Sequence, residues 1–166
     1  MEFEIGDEVV VSGCGVGEVE AIEAVTLAGD ETEMYRIALR DGGMRTWIPV
    51  ERLVAPDVVA DVRPVMSADA ADEALACIQG QEAPEKRGNW RRRQLRYQQT
   101  LKDNDPQELA TLLGELAAVR KNHTLSFQER RLFDRLKDLV LAEICLAQGL
   151  ARDELEATLA PTLNAA

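Results

Sequence analysis

The chain has 166 residues but one histidine, three cysteines and only 4% aromatic residues. His123 stands alone in the polar stretch KNHTLS, with no companion ligand and no nucleophile motif. A catalytic histidine works inside a triad or a metal shell, so this one argues for neither. Cys14, Cys77 and Cys145 are far apart and odd in number, which fits neither a disulfide framework nor a paired zinc motif. They read as three buried thiols in a reducing cytoplasm. No apolar run approaches the roughly 18 residues of a membrane span. The start, MEFEIGDEVV, lacks the basic-then-apolar order of a secretory signal. These absences point to a cytoplasmic protein that is no enzyme and has no metal or cofactor.

A surplus of basic charge is also missing, since the net charge is −11. The deficit is uneven along the chain. Residues 1–85 hold 5 basic and 19 acidic side chains, whereas residues 86–131 hold 11 basic and 5 acidic. The basic character is therefore local, and the whole-chain charge hides it.

Hydrophobic periodicity divides the chain in two. In EMYRIALRD, Tyr35, Ile37 and Leu39 share one face while Arg36, Ala38 and Arg40 share the other, the alternation of a strand. DGG at 41–43 signals a hairpin turn. GCGVG at 13–17 loosely resembles a phosphate loop, but a strand follows it, so it reads as a β-turn. Short strands and tight turns over residues 1–55 predict a small barrel of the Tudor or SH3 type. VAPDVVADVRPV, with two prolines, predicts a linker over 56–66. From residue 67 the period becomes helical. Ser67 and Gly80 bound one helix. Asp105 with Pro106 opens a second, with Leu109, Leu112, Leu113 and Leu116 as its stripe. Ser126 and Glu129 form the capping box of a third, and a short helix follows at 152–159. The expected fold is thus α+β: a small β-barrel, then an all-α domain over 67–166.

Both tryptophans invite a binding role. In MRTWIPV, Met44, Thr46 and Ile48 alternate with Arg45 and Trp47. If Met44 and Ile48 face the core, Trp47 points outward beside Arg45, the usual make-up of an interface. The competing reading is that Trp47 covers the barrel end or packs on the second domain. In GNWRRRQLRYQQ, Asn89 is a good N-cap, so Trp90 falls in the first turn of a helix with Arg91, Arg92 and Arg93 fanned around it and Arg96 further on. An apolar wedge at a basic helix start suits a minor-groove binder, in which the ring unstacks a base step while arginines hold the backbone. The residues alone leave open the alternative of a core cap whose arginines pair with acidic side chains.

The order of these segments resembles the CarD/CdnL family of bacterial transcription regulators nearly end to end. GVGEVEAIE is similar to its N-terminal strand pair. GGMRTWIPVERL is similar to its strand before the domain junction, Pro49 included. NWRRRQLRY is similar to its Asn-Trp-x-Arg-Arg segment, and LSFQERRLFDRLKDLVLAEICLA to its long C-terminal helix. The resemblance implies a Tudor-like domain that binds the RNA polymerase β subunit, with Val25, Leu27 and Trp47 as polymerase-facing positions. It also implies a helical domain that binds promoter DNA at the upstream edge of the bubble and stabilises the open complex. Trp90 would enter the minor groove, with Arg92 and Arg93 as its basic pair. A monomer is expected. The alternative function is a protein-only adaptor of polymerase or another regulator, with weak or no DNA binding.

Overall fold

A computed structural model describes residues 2–53 and 61–164. The chain forms two compact units, Met1–Val65 and Met66–Ala166.

The first unit is an antiparallel sheet of β1 (Glu8–Val11), β2 (Gly15–Leu27), β3 (Asp30–Leu39), β4 (Arg45–Pro49) and β5 (Val62–Pro64), in the order β4-β3-β2-β1-β5. The GCGVG segment makes the expected turn, with Gly13 and Gly15 at φ 69° and 101° and the Cys14 N–H donating to the Val11 carbonyl at 3.0 Å. Between β3 and β4, Gly42 and Gly43 take φ 77° and 63°, which side chains with a Cβ disfavour. A register shift between Val19 and Ala21 marks a bulge in β2. Bulges bend a strand and increase its twist, and this one lets the long β2 keep Val19 in the core while Ala21 and Glu23 turn to the other face. Val9, Val11, Val19, Tyr35, Ile37, Leu39, Ile48 and Val62 form the core, with Phe3 laid edge-on to Tyr35.

Three expectations differ from the structure. The cysteines are not fully buried: Cys14, in the turn before β2, is exposed, and Cys77 and Cys145 are half-buried. Residues 62–64, read as linker, form β5 and pair with β1 through Val9↔Pro64 and Val11↔Val62. Proline is tolerated there because β5 is an edge strand. Of the expected linker, residues 56–60 lie outside the described residues, as do residues 54 and 55 at the expected end of the barrel. Met44 does not face the core: it precedes β4, in the turn, and is 63% exposed.

The second unit packs five helices: α1 (Ala68–Gln79), α2 (Trp90–Asp103), α3 (Pro106–Asn122), α4 (Phe127–Gln148) and α5 (Arg152–Leu163). Ser67, Asn89, Asp105 and Ser126 cap the first four through side-chain oxygens that accept helix-start N–H groups. The expected stripe of α3 is buried, as are Phe133, Leu136, Val140 and Ile144 of α4. The last helix runs past the expected residue 159 to Leu163, because Leu155, Leu159 and Leu163 bury one stripe that holds the final turn together across Pro161. At Gly114 a Cβ would sit 2.6 Å from the Ile78 carbonyl oxygen, so the missing side chain is what lets α1 and α3 approach.

Candidate binding surfaces

The sheet register gathers the candidate residues of the first unit on one face. Trp47 lies opposite Arg36, which lies opposite Ala21; Pro49 lies opposite Met34, and Met34 opposite Glu23. Arg45 is two residues from Trp47, and Val25 and Leu27 are two and four from Glu23, so alternation puts all five candidates on this side, away from Tyr35, Ile37 and Ile48. Trp47 is 46% and Leu27 49% exposed. Val25 and Pro49 are half-buried.

A chain of charges holds this face in shape. Arg45 donates two hydrogen bonds to Glu20, at 2.7 and 3.1 Å. Arg36 lies 3.3 Å from the same carboxylate and donates to Glu23 at 3.0 Å. The Trp47 indole N–H donates to the other Glu23 oxygen at 2.6 Å. Arg45 holds the Glu20 carboxyl below its ordinary range, against the desolvation that would raise it. The polar atom of Trp47 is thereby satisfied within its own unit, which leaves the apolar ring as the part offered outward.

In the second unit the helix begins where expected. The Asn89 side chain accepts from the Arg91 N–H at 2.8 Å, and Trp90 is the first residue of α2. The Trp90 ring is 40% exposed. Arg91 and Arg92 are exposed and have no ion-pair partner among the described residues. They stand at the positive end of the helix dipole, where anions are favoured.

Arg93 and Arg96 are placed differently. The Arg93 guanidinium lies over the Trp90 ring, 5.3 Å from its centroid. It donates to the carbonyls of Arg87 and Gly88 at 3.1 and 2.8 Å and lies 3.6 Å from a Glu129 oxygen. Arg96 donates to Glu115 on α3 at 2.8 Å, which raises its pKa. Sequence reasoning grouped these two with Arg91 and Arg92; local spacing carries no sign of partners that far along the chain.

The group that sequence reasoning saw only as a helix cap is Glu129. Its side chain is 1% exposed. One oxygen accepts from Arg87 and, at 3.3 Å, from the Tyr97 hydroxyl. The other accepts from the Ser126 N–H at 3.0 Å. Burial alone would push its pKa up, but the Ser126 and Arg87 hydrogen bonds hold it below the ordinary value. Burial and the Glu129 charge push the Tyr97 hydroxyl up. Glu129 on α4 thus ties down the segment before α2 and the arginine that stacks on Trp90.

Among the described residues no cluster of His, Cys, Asp and Glu could hold a metal ion, and no helix is long and apolar enough to cross a membrane. Two family models match the chain: CarD, C-terminal domain, over residues 73–160, and the CarD-like/TRCF RID domain, over residues 3–65. The curated Bacillus subtilis (strain 168) protein "Putative transcription factor YdeB" is 23% identical over 154 residues, which span 93% of this chain and 97% of that protein. The solved structure of CdnLNt from Myxococcus xanthus is 33% identical, covering 40% of this chain and 89% of that one, with a TM-score of 0.33. With both units matched, the chain belongs to the CarD/CdnL family of transcription regulators, and it is not an enzyme.

Proposed function

We propose that this regulator acts on transcription initiation in the cytoplasm by holding RNA polymerase with one unit and promoter DNA with the other. The Val25–Leu27–Arg45–Trp47–Pro49 face binds the polymerase β subunit. The start of α2 binds DNA at the upstream edge of the melted bubble, where the Trp90 ring enters the minor groove and stabilises the open complex. The observation that carries this reading is a half-exposed tryptophan on the first residue of a helix, flanked by two arginines that no carboxylate among the described residues engages. The ring supplies the wedge, and Arg91 and Arg92 supply phosphate contacts that position it without reading sequence. Arg93 acts through Trp90: it braces the ring from behind.

Salt dependence tests this division of labour. Each lost duplex phosphate contact flattens the log–log dependence of affinity on salt by roughly 0.9 unit. Arg91→Ala and Arg92→Ala should each do so, equally on all promoter sequences. Arg93→Ala should weaken open-complex stabilisation with little change of slope. An unchanged slope in all three variants favours the second reading, a protein-only adaptor, which the internal pairing of Arg96 and the net charge of −11 make worth testing.

The polymerase face has its own expected result. Truncating a central interface aromatic costs on the order of 2 kcal/mol or more, over tenfold in affinity. Trp47→Ala should therefore bind a β-subunit fragment at least tenfold more weakly and leave DNA binding unchanged. Wild-type affinity in that pull-down would remove this face from the assignment.

A further inference from the structure

Between α2 and α4 lies an open cleft of about 630 Å³, lined by Gln94, Gln98, Gln128, Arg131, Leu132 and Arg135. Among the described residues its lining contains no carboxylate, although the chain has 30 acidic residues. Gln94 and Gln98 stand one and two turns beyond Trp90 on the same stripe of α2. Arg131 and Arg135 face them from α4, one turn and about 6 Å of helix rise apart. Guanidinium groups only donate hydrogen bonds and amides can donate, so the cleft suits a ligand with a row of acceptor oxygens.

A second feature narrows the ligand. Phe127, the first residue of α4, is 67% exposed. The Arg131 guanidinium, which lines the cleft, also lies over the Phe127 ring, 5.8 Å from its centroid. A basic groove that ends at an exposed aromatic ring is the construction that binds single-stranded nucleic acid: phosphates run along the groove and an unpaired base stacks on the ring. In a duplex the base faces are already stacked, so the Phe127 ring has nothing to take.

The geometry points to the α2/α4 cleft as a binding site for an unpaired nucleic-acid strand, with Arg131 and Arg135 on its phosphates and Phe127 under a base. It rests on the function proposed above only for the source of that strand, the melted DNA beside the Trp90 wedge.

The test uses the full chain and a labelled oligothymidylate, with anisotropy read at several salt concentrations. Wild type should bind it. Phe127→Ala should bind roughly 5- to 150-fold more weakly, the range a base–aromatic stack contributes, while Phe127→Trp keeps binding. Arg131→Gln and Arg135→Gln should each flatten the salt slope by about 0.7 unit, the single-strand value. All three substituted positions carry exposed side chains, and circular dichroism verifies the fold. No binding by wild type, or equal binding by Phe127→Ala, overturns the inference. So does an equal loss on a duplex of the same length, which would make the cleft a duplex track. The open-complex lifetime with Trp90→Ala is a separate measurement: if it stays at the wild-type value the proposed wedge fails, whatever the oligothymidylate result.

Discussion

Replacing Glu129 by alanine is expected to cost the helical unit about 3–4 kcal/mol of folding stability. Removing one partner of a buried ion pair typically costs about 3–5 kcal/mol, because the charge left behind has lost its compensation. Here the orphaned groups are Arg87 and Arg93, whose side chains are 23% and 21% exposed, so water softens the loss and the lower end applies. The hydrogen bond that the Glu129 carboxylate accepts from the Ser126 N–H goes as well, worth about 1 kcal/mol, while the Ser126 hydroxyl still caps the backbone N–H of residue 129. A loss of this size changes the folded-to-unfolded ratio more than a hundredfold. Urea unfolding monitored by circular dichroism reads it directly. A loss below about 1 kcal/mol would mean the cluster is dispensable. The pH dependence gives a second check. The folded carboxyl lies below its ordinary value of 4.5, so its ionised form favours folding. That stability is fully present above 4.5 and is lost as pH falls through the lower folded value. Glu129→Gln, which has no such proton to take up, should show a shallower acid limb than wild type.

That cluster also marks what the sequence could and could not disclose. The helix starts were legible because Ser67, Asn89, Asp105 and Ser126 act on N–H groups two or three residues away. The outward face of β4 was legible because side-chain alternation is local, and the register then brought Val25 and Leu27 to the same side. Met44 misled because strand alternation was extended into a turn, where it does not apply. Residues 62–64 hid as a strand because three residues and an edge proline leave no periodic signal. The partners of the arginines were out of reach for a different reason. Arg93 and Arg96 face the same water in a helix pattern as Arg91 and Arg92, and only the packing of α3 and α4 supplies Glu115 and Glu129. The one available hint was Tyr97, four residues after Arg93 and so on its face, an aromatic that marks the buried side of α2.

Trp90→Ala should leave the helical unit folded and return the open-complex lifetime close to its value without the protein. Trp90 is 40% exposed, lies against the Arg93 guanidinium and is not among the residues of the helical unit's core, so truncation opens no cavity there. Its stability cost is therefore expected below about 1 kcal/mol, in the range of surface changes. The cost on DNA is larger. A ring stacked against a base is worth about 1–3 kcal/mol, so losing it should shorten the lifetime about 5- to 150-fold if the full stack forms only in the open complex. Trp90→Phe keeps a flat apolar ring and should retain part of the effect. Arg93→Ala should fall between wild type and Trp90→Ala, because it removes the brace and leaves the wedge. Lifetimes measured by competitor challenge on one promoter, with all three variants at saturating concentration, give the order. If Trp90→Ala unfolds the helical unit, the ring is a core residue after all. If it folds and preserves the wild-type lifetime, the start of α2 is not where this regulator holds the melted DNA.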